Sequence, residues 1–204
     1  KPIEERFGIE QIFVTTMQAV SGAGYPGVPS MDILDNVIPY IGSEEEKMEE
    51  ETLKLLGHLD GKSVAPLHAM VTAHCNRVAV IDGHTECVSI KLGNKLGRPV
   101  KREDILAAWQ DFRPLAGLDL PFAPEHPIEW REENDRPQPR LDRGRGKGMT
   151  VTVGRLRPCS VLDWKFVLLS HNTVRGAAGA TILNAEMLAS LGKLEPAAVA
   201  AARA

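Results

Sequence analysis

The stretch Ile12-Phe13-Val14-Thr15-Thr16-Met17-Gln18-Ala19-Val20-Ser21-Gly22-Ala23-Gly24-Tyr25-Pro26-Gly27 joins two kinds of chain. Its first five residues are apolar or β-branched and read as a strand leading into Gln18-Ala19-Val20. The rest is rich in Gly and Pro, and glycine takes backbone conformations that let a ligand approach closely. A Gln amide both donates and accepts, so Gln18 can orient a carbonyl or a nucleophile, and the Ser21-Gly22 backbone suits the close approach of a cofactor. The plainer alternative is a tight turn from strand to loop. This segment opens the first of three compositional stretches, 12–59, which closes on a helix. Ser43 is its candidate N-cap, Glu46 completes a capping box, and the helix runs to about Leu56 before Gly57 stops it.

The second stretch alternates. Strand is predicted at 70–74 and 78–80, interrupted by the turn or bulge signal Asp82-Gly83, and resumes at 87–90. A helix follows at 102–112 with Ile105, Leu106 and Trp109 on one face, then a Pro- and charge-rich connection at 113–147. The third stretch gives strands at 150–156 and 164–169 and a closing helix at 173–191, dense in small residues. The Ala-rich tail 195–204 reads as dispensable, and no internal repeat is evident. The fold class is α+β with a mixed sheet.

The 204 residues carry 24 Lys and Arg against 27 Asp and Glu, a net charge of −3, which argues against a nucleic-acid protein. No apolar run approaches a membrane span. Three cysteines without a CxxC pair favour a reducing compartment, hence a cytoplasmic protein. There is no GxGxxG after a strand, no Walker A loop, no HExxH and no GxSxG, and no metal site is predicted.

Several residues can carry chemistry. Arg77 can hold a carboxylate bidentately and His84 can move protons near neutral pH. Their odd separation puts them on opposite faces of an uninterrupted strand, so a bulge or turn at Asp82-Gly83 must re-aim His84; otherwise they are an ion-paired Arg and an exposed turn residue. Glu44 and Lys47 share a face of one helical turn and suit an ammonium and a phosphate, or else form a solvated pair. Asn172, ahead of the last helix, is either an N-cap or an amide that reads a carboxamide. Cys87 is the best placed thiol, three residues after His84, but strand parity turns it away; buried structural thiols are the simpler reading of all three cysteines.

Taken in order, Thr15–Val28, Met31–Asn36, the Glu44–Lys47 helix start, Cys75-Asn76-Arg77-Val78, Asp82-Gly83-His84-Thr85-Glu86, Arg136–Asp142, Ser170–Val174 and Gly176–Gly179 resemble the aspartate-β-semialdehyde dehydrogenases, in the branch typical of archaea and fungi. The resemblance runs to about Leu188. It implies a glyceraldehyde-3-phosphate-dehydrogenase-like C-terminal domain, a mixed sheet with helices on one face and a dimer contact on the other. It implies reductive dephosphorylation of β-aspartyl phosphate with NADPH, in aspartate-family amino-acid biosynthesis; in the reverse, phosphate-dependent oxidation of aspartate semialdehyde, a cysteine attacks the aldehyde carbon, the thiohemiacetal passes hydride to NADP, and the resulting thioester is captured by phosphate. By position His84 is the general acid/base, Arg77 the clamp on the α-carboxylate, Glu44 the holder of the amine and Lys47 of the phosphate. Gln18 orients the substrate, and Ser21, Gly22 and Asn172 touch NADP near its nicotinamide.

The family's nucleophile lies in an Asn-Cys-Ser/Thr motif before the Gln-Ala-x-Ser-Gly segment, and none of the three cysteines matches it. The resemblance therefore implies that the nucleophile and the Rossmann domain lie upstream and that this chain alone is inactive. It casts 1–11 as a residual linker and 173–191 as a helix packing on the cofactor domain. A homodimer or homotetramer is implied, with the 113–147 connection as a place for tetramer contacts. The connection between Leu56 and Val71 is shorter than the family pattern. The rival enzyme is a malonyl-CoA-reductase-like acyl reductase, and the rival of another class is a purely oligomerising module.

Overall fold

Along the first long strand, apolar and polar residues alternate so that one face is buried and the other open, and this alternation organises the molecule. The computed structural model describes residues 1–194; the tail 195–204 lies outside the described residues. In chain order the elements are α1 (Pro2–Phe7), β1 (Ile9–Gln18), α2 (Ser30–Ile33), β2 (Val37–Ile38), α3 (Glu44–Leu56), β3 (His58–Asp60), β4 (Ser63–Ala65), β5 (Met70–Val78), β6 (His84–Leu92), α4 (Arg102–Gln110), β7 (Ile128–Arg131), α5 (Pro139–Asp142), β8 (Val151–Pro158), β9 (Trp164–Ser170) and α6 (Gly179–Ser190). A 3₁₀ turn at Val20–Ala23 follows β1, and a π-helical turn at Val174–Ala178 leads into α6.

Seven strands form one mixed sheet in the order β2-β5-β1-β6-β9-β8-β7. β1 runs parallel to β5 and antiparallel to β6; β8 runs parallel to β7 and antiparallel to β9. Ile12, Val14, Val88, Ile90 and Phe166 from the sheet meet Ile3 and Phe7 of α1 and Ile105, Ala108 and Trp109 of α4 in the main core. The opposite face is open: Phe13 is 51% exposed and Met70 64%. This is the mixed sheet with helices on one face that the sequence predicts.

Several elements differ from expectation. Residues 1–11 are no linker: they form α1 and the start of β1, and Ile3 and Phe7 are buried. The 113–147 connection contains β7 and α5, and Trp130 of β7 stacks on Trp109 with ring centroids 5.8 Å apart. The connection after Leu56 holds the small β3–β4 hairpin. At the start of α3, Ser43 adopts a left-handed conformation (φ 58°) and makes no side-chain cap, so the expected capping box is absent. Gly57 does end α3, in an extended conformation (φ −65°) and not the left-handed one.

Instead of a capping box, α3 is fastened by two carboxylates. The backbone N–H of Cys75 donates to Glu45 Oε1 (2.8 Å) and that of Ala73 to Glu49 Oε1 (3.0 Å). Glutamates one helical turn apart thus engage alternate residues of β5, which sets where the first turn of α3, with Glu44, meets the sheet.

Candidate active site

Strand pairing puts the singled-out residues side by side. Gln18 of β1 opposes Arg77 of β5. Met17 opposes Thr85 of β6, so the next step of that antiparallel ladder sets His84 beside Gln18. Arg77, Gln18 and His84 therefore form one rung across three adjacent strands, on the face that carries the core. Gln18 and Arg77 are buried and His84 is half-buried. Strand parity would separate Arg77 from His84 only within a single strand. They belong to two, because residues 79–83 carry the chain over the end of β1, with the N–H groups of Val20 and Ser21 donating to the carbonyls of Val80 (2.8 Å) and Ile81 (3.2 Å).

The turn that delivers His84 is tightly held. Gly83 has φ +101°, and a Cβ there would come within 3.2 to 3.4 Å of Leu169, Pro139 and Arg143. Its N–H donates to Asn172 Oδ1 (2.9 Å), while Asn172 Nδ2 donates to Ser21 Oγ (2.8 Å). Asn172 is thus no helix cap; it ties the glycine-rich turn after β1 to the turn before β6. Arg143 Nη1 donates to the Asp82 carbonyl (3.0 Å). Arg143 is placed by α5, whose fully buried Asp142 pairs with Arg136 and accepts from the Gln138 N–H (2.7 Å). The Arg136–Asp142 segment is therefore a buttress of the site, a role its composition did not disclose.

Within the rung, Arg77 Nη1 donates to the Ala19 carbonyl (2.7 Å), and the Ala19 N–H donates to His84 Nδ1 (3.1 Å). Gln18 Nε2 donates to Glu44 Oε1 (3.3 Å). Burial first, and then the Arg77 charge, lower the His84 pKa from 6.5 to about 4, with Glu44 opposing. Burial also lowers the Arg77 pKa. A Cβ on Gly22 would lie 3.0 Å from Arg77 Nη1 and 3.3 Å from His84 Nε2, so both side chains pack closely against the bare glycine backbone there. Lys47 is one turn along α3, exposed, and makes no hydrogen bond or ion pair to the rung among the described residues.

Two groups escaped the sequence reading. Ala19 acts through its backbone, which carries no residue-type signal. Glu86 lies two residues beyond His84, on the same face of β6 and in register with Thr16, and burial lifts its pKa from 4.5 to about 7. A charged residue at a core-facing position of an alternating strand was the available clue. The cysteines stand apart from the rung. Cys75 is buried on the rung beneath, with burial raising its thiol pKa; Cys87 is exposed on the opposite face; Cys159 lies beyond β8, at the far end of β6 from His84.

Residues 1–175 match the family described as semialdehyde dehydrogenase, dimerisation domain. The chain belongs to that family. It is 53% identical over 191 residues to the aspartate-semialdehyde dehydrogenase of Methanothermobacter thermautotrophicus, covering 92% of this chain and 54% of that enzyme. It is 50% identical over 196 residues to the Saccharomyces cerevisiae enzyme of that name, covering 92% and 53%. Among solved structures, the Candida albicans aspartate-semialdehyde dehydrogenase with NADP superposes with a TM-score of 0.85 at 46% identity, covering 95% of this chain and 55% of that one. The Vibrio cholerae aspartate-semialdehyde dehydrogenase II complexed with ASA gives 0.70 at 29% identity, covering 93% and 57%. The chain spans about half the length of these relatives and corresponds to a C-terminal part of them. As in the family description, the unit is a dimerisation domain, and among the described residues no helix is long and apolar enough to cross a membrane.

Proposed function

We propose that these residues supply the substrate-binding and self-associating half of a cytoplasmic, NADP-dependent aspartate-semialdehyde dehydrogenase. It converts L-aspartate 4-semialdehyde, phosphate and NADP to 4-aspartyl phosphate, NADPH and a proton. The rung Arg77–Gln18–His84, with Glu44 bonded to its centre, carries this reading. A substrate with a carboxylate, an ammonium and an aldehyde needs a cation, an anion and a proton-handling group held at fixed separations.

Arg77 spends one Nη1 on the Ala19 carbonyl and keeps the rest of its fork for the α-carboxylate. Glu44 takes the ammonium, Gln18 orients the carbonyl, Lys47 holds phosphate and His84 is the general acid/base. NADP, when bound, takes up the hydride. Its fit rests on the side-chain-free backbone at Gly22 beside Arg77 and His84, and on Ser21, held in place by Asn172. The nucleophile is a cysteine outside these 204 residues, because none of the three here reaches the rung. The C-terminal helix packs on the cofactor domain, and a second copy covers the open sheet face, with further pairing to a tetramer.

The test is phosphate-dependent NADP reduction with L-aspartate 4-semialdehyde, comparing this chain with one extended upstream. Activity in the extended form alone is expected; unaided turnover by this chain would overturn the assignment of the nucleophile. Glu44→Ala in the extended form should lower activity on the semialdehyde by about 10²-fold. Undiminished activity there, with turnover of malonyl-CoA, would move the acyl reductase ahead.

A further inference from the structure

We infer that Arg143, just past α5, is a positioning residue for His84: its guanidinium holds the turn that delivers the ring, from the face of the sheet opposite to the ring, and touches neither substrate nor cofactor. The inference deepens the proposed function, on which its effect on turnover rests; the hold on the turn is a property of this chain.

His84 is the first residue of β6, so its place depends on the chain that enters the strand as much as on its partner Ser170. That entering turn is bonded at four consecutive residues. Two of the bonds run from peptide to peptide, from the Val20 and Ser21 N–H groups to the carbonyls of Val80 and Ile81. The other two involve side chains: Arg143 Nη1 donates to the Asp82 carbonyl (3.0 Å), and the Gly83 N–H donates to Asn172 Oδ1 (2.9 Å). Asn172 already belongs to the cofactor side of the proposed function; Arg143 has no part in it. Arg136 and Arg145, on either side, pair with Asp142 and Glu129. Arg143 pairs with no carboxylate among the described residues, and its side-chain bond goes to the turn. A guanidinium spent on a peptide oxygen makes a charge-assisted bond, roughly twice as strong as a neutral one.

Register fixes the side from which Arg143 acts. Leu169 opposes Thr85, so both lie on the face opposite His84. A Cβ on Gly83 would meet Leu169, Pro139 and the Arg143 stem at 3.2 to 3.4 Å, so the α5 segment packs directly on the turn from that face. Without the Arg143 bond the Asp82 carbonyl loses its partner, and the peptide ahead of Gly83 gains the freedom that glycine allows. The ring then shifts against Arg77 and Gln18, and a displacement of about 1 Å in such a group costs on the order of 10²-fold in rate.

The test is a set of variants in the form extended upstream, read by steady-state kinetics and by amide hydrogen exchange of the turn before His84. Arg143→Met keeps a stem without the donor: kcat should fall by about 10–100-fold, with KM for the semialdehyde and for phosphate within about twofold of the parent. Its turn should exchange about tenfold faster. Arg143→Lys, which can still donate to a carbonyl, should recover most of kcat. Arg140→Met, at an exposed position on the same helix, should match the parent in both readings. Parent-like kcat in Arg143→Met, a loss carried by KM, or an Arg143→Lys as poor as Arg143→Met overturns the inference. If Arg143→Met fails to fold, the same losses are expected of Arg143→Gln, whose amide ends short of the Asp82 carbonyl, and their absence there has the same force. Exchange is read without turnover: a silent dehydrogenase assay with a loosened turn counts against the proposed function, and an unchanged turn counts against this inference.

Discussion

His84 and Glu86 lie two residues apart on one face of β6, and the interior moves their proton affinities in opposite directions. His84 falls from 6.5 to about 4, so the folded state binds fewer protons than the unfolded one between those values, and stability is lost as pH falls through that window. Glu86 rises from 4.5 to about 7, so the folded state binds more protons there, and stability is lost as pH rises. From about pH 4.5 to 6.5 the two slopes oppose each other and largely cancel. Glu86→Gln should expose the histidine slope: urea midpoints that rise from pH 4.5 to 6.5, and a gain over the parent of about 1–2 kcal/mol above pH 7, discounted because Glu86 keeps some access to solvent. Midpoints that do not change with pH in the variant would refute the assignment. At this scale, Gln18, Arg77, His84, Glu44 and Asn172 could be picked from the chain by residue type and motif. The arithmetic of strand parity failed for Arg77 and His84 because parity says nothing about which strand lies between two others. Ala19 was invisible for a different reason, since its contribution comes from peptide atoms every residue has.

Among the elements, α3 shows how a helix can be readable while its fastening is not. Its length and acidic start were evident, but Ser43 takes a left-handed turn, and the helix is held by Glu45 and Glu49 reaching the N–H groups of β5. Glu49→Ala leaves the N–H of buried Ala73 without its partner and should cost about 1–3 kcal/mol in urea unfolding. Glu46→Ala, at an exposed position on the same turn, should stay within about 0.5 kcal/mol. Equal losses would mean that helical charge, and not anchoring, is being measured. β7 was missed because Pro127 and a run of charges surround it, yet Ile-Glu-Trp-Arg alternates as a strand should, and its Trp130 is what α4 packs on.

At the scale of the molecule, one sheet face is covered by helices and the other is bare. Phe13, Thr15, Thr72, His74, Cys87 and Ser89 share that bare face by register, with Phe13 near its middle. An exposed apolar residue on an open sheet face of a dimerisation-domain family points to contact with a second copy. Sedimentation should show a dimer for the parent chain and a monomer for Phe13→Glu, with Cys87 slow to react with maleimide in the first and fast in the second. A parent chain that sediments as a monomer would place the contact elsewhere.

β1 lies between β5 and β6, which follow each other in sequence with only residues 79–83 between them. Neighbours along the chain would ordinarily close on each other as a hairpin within microseconds. Here they must stay about two strand spacings apart, ~9.6 Å, until a strand from more than 50 residues earlier inserts between them. The premature hairpin is a competing pairing, and the cost of closing the long loop falls before any reward. Arg77 and His84 thus share a rung only in chains that have already chosen the long-range topology, and a partly folded chain holds no half-built version of the site. The completeness of the rung is in that sense a report on the order in which the strands of this domain found each other.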